Sequence, residues 1–359
     1  GCYAQVAPGT LSTLPGVVFV AGTAEKHRIP EMIADLDRPP ADRVLAGGLS
    51  SLRTFDGPSA VRFAGHTRAF LKVQDGCDAR CRYCIVPYAR GRSRSLPLSE
   101  ALARLKELGE AGYRETVVTG IHLGAYGRDL KPAADLPLLL AAAERQGGME
   151  RLRLSSVEPR EVTEDLIALM RRSRLLCRHL HIPLQSADSD VLRGMGRDYD
   201  AALYGALVSA VAAAVPDIAI GADVMAGFPG ETPAQFANTC EFLQASPLAY
   251  LHVFPYSDRP GTEASRMEGK VGEAEKKRRA QLLREIGRQK KRDFAGCFLG
   301  RELSVLIEGR TAGGFVRGFS DNYIPVLLRH EGLDLANRIV RVKIEGFKEE
   351  KLHGVMVGE

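Results

Sequence analysis

Between Ala69 and Phe254 short apolar runs alternate with helical patterns, and this alternation constrains the fold more than any other feature of the chain. Strand candidates are Ala69–Val73, Thr116–Thr119, Leu152–Ser155, His179–Ile182, Ile218–Val224 and Tyr250–Phe254. Helix candidates between them are Ser99–Ala111, Leu136–Gln146, Thr163–Arg171, Ala201–Ala214 and Pro233–Gln244. Leu102, Leu105 and Leu108 give the first helix an apolar face, and Ser99 is its expected N-cap. Six strand–helix repeats imply parallel strands joined by right-handed crossovers. They are too few for a closed eight-fold barrel. The expected fold class is therefore α/β, an open six-stranded partial barrel with its active site at the C-terminal strand ends.

The flanks read differently. Residues 1–57 look like part of an α/β domain, with an apolar strand Val17–Val20 and a helix-like segment near Pro30 to Leu36. Asp37–Pro58, with Pro39-Pro40 and Gly47-Gly48, reads as a linker to the barrel over 62–293. Residues 273–293 carry nine basic and four acidic residues, a solvated amphipathic helix expected to pack Leu282, Leu283 and Ile286 on the barrel. From 294 to 359 the texture is a small all-β barrel, with strands Leu303–Ile307, Gly314–Gly318, Ile324–Leu328 and Ile339–Gly346. No stretch approaches the about 18 apolar residues of a membrane span. The richest, Leu203 to Val215, reads as a buried helix. A net charge of +5 is compatible with a nucleic-acid partner without establishing one.

Cys77, Cys81 and Cys84 are spaced C-x3-C-x2-C directly after the first strand. Three thiolates on one loop can hold a metal or an iron–sulfur cluster. A structural zinc site and a 4Fe-4S cluster each take four ligands. The remaining cysteines, Cys2, Cys177, Cys240 and Cys297, are scattered singly, so no local fourth ligand is evident. A substrate or cofactor on the last iron is the favoured reading; a zinc site is the alternative. Cys177, Cys240 and Cys297 read as packing residues.

The cysteine spacing, with Tyr83 before the last cysteine, resembles the signature of the radical S-adenosylmethionine (SAM) enzymes. The extended run Cys84-Ile85-Val86-Pro87-Tyr88, followed by Arg90-Gly91, is similar to the methylthiotransferases among them. TGIHLGAYGRDL (119–130), LRLSSVEPREVTEDLI (152–167), HLHIPLQSADSDVLRGMGRDY (179–199), GADVMAGFPGET (221–232) and HVFPYSDRPGTEA (252–264) agree in order. GIHLGAYGRDL and SSVEPREVT resemble the branch acting on N6-threonylcarbamoyladenosine beside the tRNA anticodon. That resemblance implies a transferase that removes hydrogen from carbon two of the adenine and installs sulfur, with a second SAM supplying the methyl group. Isopentenyladenosine or a ribosomal protein as substrate is the alternative. A non-catalytic RNA-binding protein with a structural metal is the alternative of another class.

The resemblance also implies cofactors, partners and site residues. Cys77, Cys81 and Cys84 would hold a 4Fe-4S cluster whose open iron chelates SAM. Cys2, in GCYAQ, matches the third cysteine of the family's N-terminal domain, one ligand of a second cluster; the chain is expected to lack the two upstream cysteines. Tyr83, Gly120, Ser155, Ser156, Glu158, Gln185, Arg197 and Asp223 are the expected cofactor-side residues. Ser155 and Ser156 have the alternative of satisfying loop backbone. Arg197 suits a SAM carboxylate or an RNA phosphate. Asp223 must be paired, ligand-bound or at the strand mouth, because a buried lone carboxylate is costly. Gly227, Pro229 and Gly230 read as a tight turn beside the site. Arg80, Arg82, Arg90, Arg92 and Arg94 are candidate RNA-phosphate contacts, or ion-pair partners of Asp75, Asp78 and Glu100. The C-terminal barrel resembles the RNA-binding TRAM module. The expected partners are tRNA and an electron donor such as flavodoxin or ferredoxin, with a monomeric, cytoplasmic protein.

Overall fold

The computed structural model describes residues 1–34, 43–49, 52–55, 57, 63, 65–311, 314–330, 332, 334–348 and 350–357. The chain opens with helices α1 (Cys2–Val6) and α2 (Pro8–Ser12), strand β1 (Val20–Ala21), helix α3 (Ile29–Ala34) and strand β2 (Val44–Leu45). The expected Val17–Val20 strand shrinks to β1, which pairs in parallel with β2. The stretch read as a linker thus contributes a strand, because Val20 N–H finds Arg43 O at 2.8 Å and Gly22 N–H finds Leu45 O at 2.7 Å. Its residues 37–42, 50, 51, 56 and 58 lie outside the described residues.

The central unit contains β3 (Ala69–Asp75), β4 (Arg94–Ser95), β5 (Glu115–Gly120), β6 (Arg151–Leu154), β7 (His179–His181), β8 (Ala219–Ala226) and β9 (Tyr250–Pro255). They form a four-stranded sheet in the order β4-β3-β5-β6 and a three-stranded sheet β7-β8-β9. A lone parallel bridge, Ser156 to His181, links the two. All neighbours are parallel except β4, an unforeseen edge strand antiparallel to β3. Period-two alternation sends one set of side chains outward to the helices and the other into the lumen. Leu71, Val118, Leu152, Ile220 and Val224 go outward into one core. They meet residues of α5 (Leu98–Glu110), α6 (Leu136–Gln146), α7 (Glu164–Arg172), α8 (Ser189–Gly194), α9 (Ala201–Ala214) and α10 (Pro233–Ala245), while the short α4 (Val86–Arg90) follows the cysteine run. At about 25 cal/mol per Å² of apolar surface removed from water, this shell is the main source of stability.

Helix starts follow local chemistry. Asp135 caps α6 through Leu138 N–H, Asp200 caps α9 through Leu203 N–H, and Thr232 with Gln235 forms a capping box on α10. Ser99 does not cap α5. Pro97 occupies that position in an extended conformation and Ser99 falls inside the first turn. On α11 (Glu273–Gly296), Ala280 and Leu283 are buried and Ile286 packs on the core, whereas Leu282 faces outward at 37% exposure. The helical period puts residue 282 about 100° away from 283, so both cannot face the barrel.

After α11 the chain forms β10 (Glu302–Arg310), β11 (Phe315–Ser320), β12 (Pro325–Arg329), β13 (Ile339–Lys348) and β14 (Lys351–Met356). These close into a barrel in the order β10-β11-β12-β14-β13 around Val305, Val316, Val326, Val342 and Leu352. The fifth strand was not expected, because KLHGVM shows little apolar alternation. This barrel sits under the N-terminal strand ends of the central unit. Arg153, fully buried, bonds Glu115 at 2.7 Å and donates to the carbonyls of Asp321 (2.9 Å) and Ser320 (3.2 Å). Arg151 donates to Ser304, and Arg178 pairs with Asp321 at 2.7 Å.

Removing one partner of a buried ion pair costs about 3–5 kcal/mol, because the other charge is left uncompensated. Glu115→Ala is therefore expected to lower the unfolding free energy by about that much in a urea titration. A loss within experimental error would show that Arg153 is compensated by the carbonyls alone.

Candidate active site

The loop after β3 owes its shape to two side chains at the strand end. Asp75 is buried, accepts from Gly76 N–H at 3.0 Å and pairs with Lys72 at 2.6 Å. Lys26 (3.5 Å), Arg90 (3.9 Å) and Arg94 (3.8 Å) surround the same carboxylate. Burial pushes the Asp75 pKa up, but the Lys72 bond and this ring of cations outweigh it and hold it low. Gln74 donates to Gly76 O and Ser93 Oγ, each at 2.8 Å, and accepts from His122 N–H at 2.8 Å. It thereby ties the loop after β3 to the loop after β5.

Cys77, Cys81 and Cys84 are unpaired, half-buried and line one cavity of about 630 Å³. Cys77 N–H donates to Gly91 O and Cys84 N–H to Cys81 O, both at 3.0 Å. Burial pushes the Cys84 thiol up to about 11.

Two donors from other strands aim at these sulfurs. Arg197 places a guanidinium nitrogen 3.2 Å from Cys81 Sγ, and His122 Nδ1 lies 3.4 Å from Cys77 Sγ. Arg197 is fixed by Glu158 and by Tyr199 Oη at 3.1 Å, and Tyr199 in turn donates to the carbonyls of Pro183 and Leu184. Burial lowers the His122 pKa, but the contacts with Cys77 and Glu161 outweigh it and lift the value to about 10. Glu161 lies 2.9 Å from the other His122 nitrogen. Sequence reasoning missed Gln74, His122 and Glu161; the position of GIHLG after a strand was the available signal for His122.

The remaining expected residues sort by geometry. Tyr83 packs against the Met195, Phe228 and Tyr256 cluster, and burial raises its pKa well above the usual range. Gly120 ends β5 where an added Cβ would lie 2.9 Å from Gln74 Oε1 and 3.1 Å from Leu123 Cα. Ser155 Oγ is buried without a partner, so it does not satisfy loop backbone. Ser156 is exposed. Glu158 and Arg197 line a second cavity of about 630 Å³ together with Cys81 and His122. Gln185 holds a left-handed backbone (φ 66°), bonded across to Asp223 O at 2.7 Å. Asp223 itself lies deeper in the lumen, paired with His181 at 3.1 Å and His252 at 3.5 Å.

The five arginines divide. Arg80, Arg82 and Arg92 are exposed; Arg82 pairs with Glu263 at 3.4 Å. Arg94 is 4% exposed and donates to the carbonyls of Arg90 and Arg92, so it is inaccessible to a phosphate. Arg90 turns to Asp75 and donates to Cys2 Sγ at 3.2 Å. Glu100 pairs with Arg104 and not with the loop. Cys177 is buried and Cys240 packs at the core edge as expected, whereas Cys297 is exposed.

These residues fit a 4Fe-4S cluster with SAM: three unpaired cysteines on one cavity, charged side chains facing two of their sulfurs, and an adjoining cavity that shares Cys81. Hydrogen bonds to cluster sulfurs raise the reduction potential. In cluster-loaded protein, Arg197→Met is expected to shift the midpoint potential negative with iron content unchanged. An unaltered potential would show that the guanidinium does not act on Cys81.

Residues 71–243 match the model of the Radical SAM superfamily. The chain is 36% identical over 352 residues to Threonylcarbamoyladenosine tRNA methylthiotransferase MtaB of Bacillus subtilis, covering 96% of this chain and 77% of that one. The protein of the same name from Thermotoga maritima is 36% identical over 354 residues, covering 98% and 79%. A tRNA-2-methylthio-N(6)-dimethylallyladenosine synthase of Carboxydothermus hydrogenoformans is 33% identical over 363 residues, covering 99% and 82%.

Proposed function

This chain belongs to the radical SAM tRNA methylthiotransferases, and from that premise we propose that it methylthiolates carbon two of N6-threonylcarbamoyladenosine beside the tRNA anticodon. The observation that carries the reading is the convergence of three cysteines and the Arg197–Glu158 pair on two cavities that share Cys81 at one strand mouth. The strings GIHLGAYGRDL and SSVEPREVT, and relatives named for threonylcarbamoyladenosine, support this substrate over isopentenyladenosine.

When bound, a reduced 4Fe-4S cluster with SAM supplies a carbon radical able to take a hydrogen atom from an unactivated carbon. Cys77, Cys81 and Cys84 hold that cluster. Arg197, pinned by Glu158 and Tyr199, fixes Cys81 and presents positive charge to a SAM carboxylate. Ser155, at the end of β6, is assigned to the ribose or the amino-acid part of SAM, its buried Oγ having no partner among the described residues. Gly120 lets Gln74 and the loop after β5 pack closely at the SAM side of the site. Tyr83 and Phe228 exclude water behind the loop. Arg80, Arg82 and Arg92 meet backbone phosphates at the mouth. Cys2, beside Arg90, is the donor this chain offers to a second, sulfur-supplying cluster. In this reading 62–293 is the catalytic unit, 294–359 a TRAM-like RNA-binding module, and 1–57 part of the family's N-terminal domain. The enzyme works as a monomer, with a flavodoxin or ferredoxin as electron donor.

Anaerobic reconstitution with SAM, reductant and tRNA, read by nucleoside mass spectrometry, tests the proposal. The expected product is 2-methylthio-N6-threonylcarbamoyladenosine; a methylthio group on isopentenyladenosine alone would overturn the substrate. Cys77→Ala is expected to abolish reductive SAM cleavage, and retained cleavage would refute the ligand assignment.

A further inference from the structure

Below the mouth, three adjacent parallel strands bring an N,N,O donor set together inside the lumen. We propose that His181 of β7, Asp223 of β8 and His252 of β9 form a binding site for a divalent transition cation of the zinc or ferrous class. The site is separate from the cysteine loop, and the inference does not depend on which tRNA base is modified.

Register places the set. His181 lies opposite Gly221 and Asp223 opposite His252, so the three share neighbouring positions on the lumen face. Their donor atoms all lie within 4.8 Å of one another. His181 Nε2 is 3.1 Å and His252 Nδ1 3.5 Å from the same Asp223 oxygen. Ligands that share one ion at about 2.0–2.2 Å in tetrahedral geometry stand about this far apart. Two imidazoles and a carboxylate match the ligand sets of zinc and of non-haem ferrous ions.

A second shell supports the assignment. Tyr250 Oη lies 3.2 Å from His181 Nδ1 and 2.7 Å from His179 Nε2. The shorter contact has the length of an O–H donor and the longer one that of an N–H donor. In that arrangement Tyr250 engages His181 Nδ1 and leaves Nε2, 3.1 Å from the Asp223 carboxylate, as the nitrogen available to an ion. An outer hydrogen bond that fixes the tautomer is the usual support of a metal-bound histidine. The Tyr250 ring reaches this position because residue 221 is glycine: an added Cβ there would fall 2.1 Å from Tyr250 Cζ. The Asp223 backbone is held by Leu184 and Gln185 N–H at 3.1 and 2.7 Å.

Three protein ligands leave coordination positions open, as in catalytic rather than structural zinc sites. His252 is half-exposed, which gives the ion an entry path. The competing arrangement is a proton shared among the three side chains with no ion.

The test uses the full chain with its cluster loaded, so that the cysteine loop is occupied, equilibrated anaerobically with zinc alone. Metal analysis is expected to find one zinc per chain beyond the cluster iron, and zinc-edge anomalous diffraction to place it between His181, Asp223 and His252. His252→Ala, at an exposed position that the fold tolerates, is expected to weaken uptake at least about tenfold, with Tyr250→Phe weakening it by a similar or smaller factor. Equal zinc uptake by the parent chain and His252→Ala, or an anomalous peak only elsewhere, would overturn the site. His252→Ala decides the question should Asp223→Asn fail to fold.

Discussion

Parallel pairing of β3 with β5, β5 with β6, β7 with β8 and β8 with β9 is the constraint on which the rest of the molecule depends. Parallel strands turn every loop that follows a strand toward the same edge. The cysteine loop, the His122 loop, Ser155 to Glu158 and the Gln185 turn meet for that reason alone, although they are separated by more than a hundred residues in sequence. No single segment forms the site; the ladder does.

The opposite edge has a different character. Arginines 151, 153 and 178 face down toward Glu115, Asp321 and carbonyls of the C-terminal barrel, with Arg151 Nη1 left without a hydrogen-bond partner among the described residues. Desolvating such groups is expensive, and these partners offset much of the cost only when the small barrel is in place. The C-terminal barrel therefore serves as a polar floor for the lumen as well as a separate β unit. No helix among the described residues is long and apolar enough to cross a membrane.

Much of this was legible in the sequence, for physical reasons that differ by element. Strand and helix placement from Ala69 to Phe254 followed from short apolar runs alternating with helical patterns. The cysteine loop was visible because a covalently constrained ligand spacing survives without tertiary information. What could not be read were contacts between loops. Gln74 and His122 look like ordinary polar residues until β3 and β5 lie side by side. Of the two readings the sequence left for Arg94, phosphate contact or ion pair, the structure has the pair with Asp75. Asp223 was expected to be paired, ligand-bound or at the strand mouth, and its partners turn out to be two histidines from neighbouring strands. Pairing across strands set each of these outcomes, and no local pattern encodes it.

The central claim is that the cysteine loop leaves one iron free for a ligand from outside the chain. Electron paramagnetic resonance of the reduced, reconstituted protein, recorded before and after adding SAM labelled with nitrogen-15 at its amino group, measures this directly. The account predicts a changed cluster signal with hyperfine coupling to the labelled nitrogen. An unchanged spectrum without that coupling would mean that the fourth position is already filled, and would contradict it.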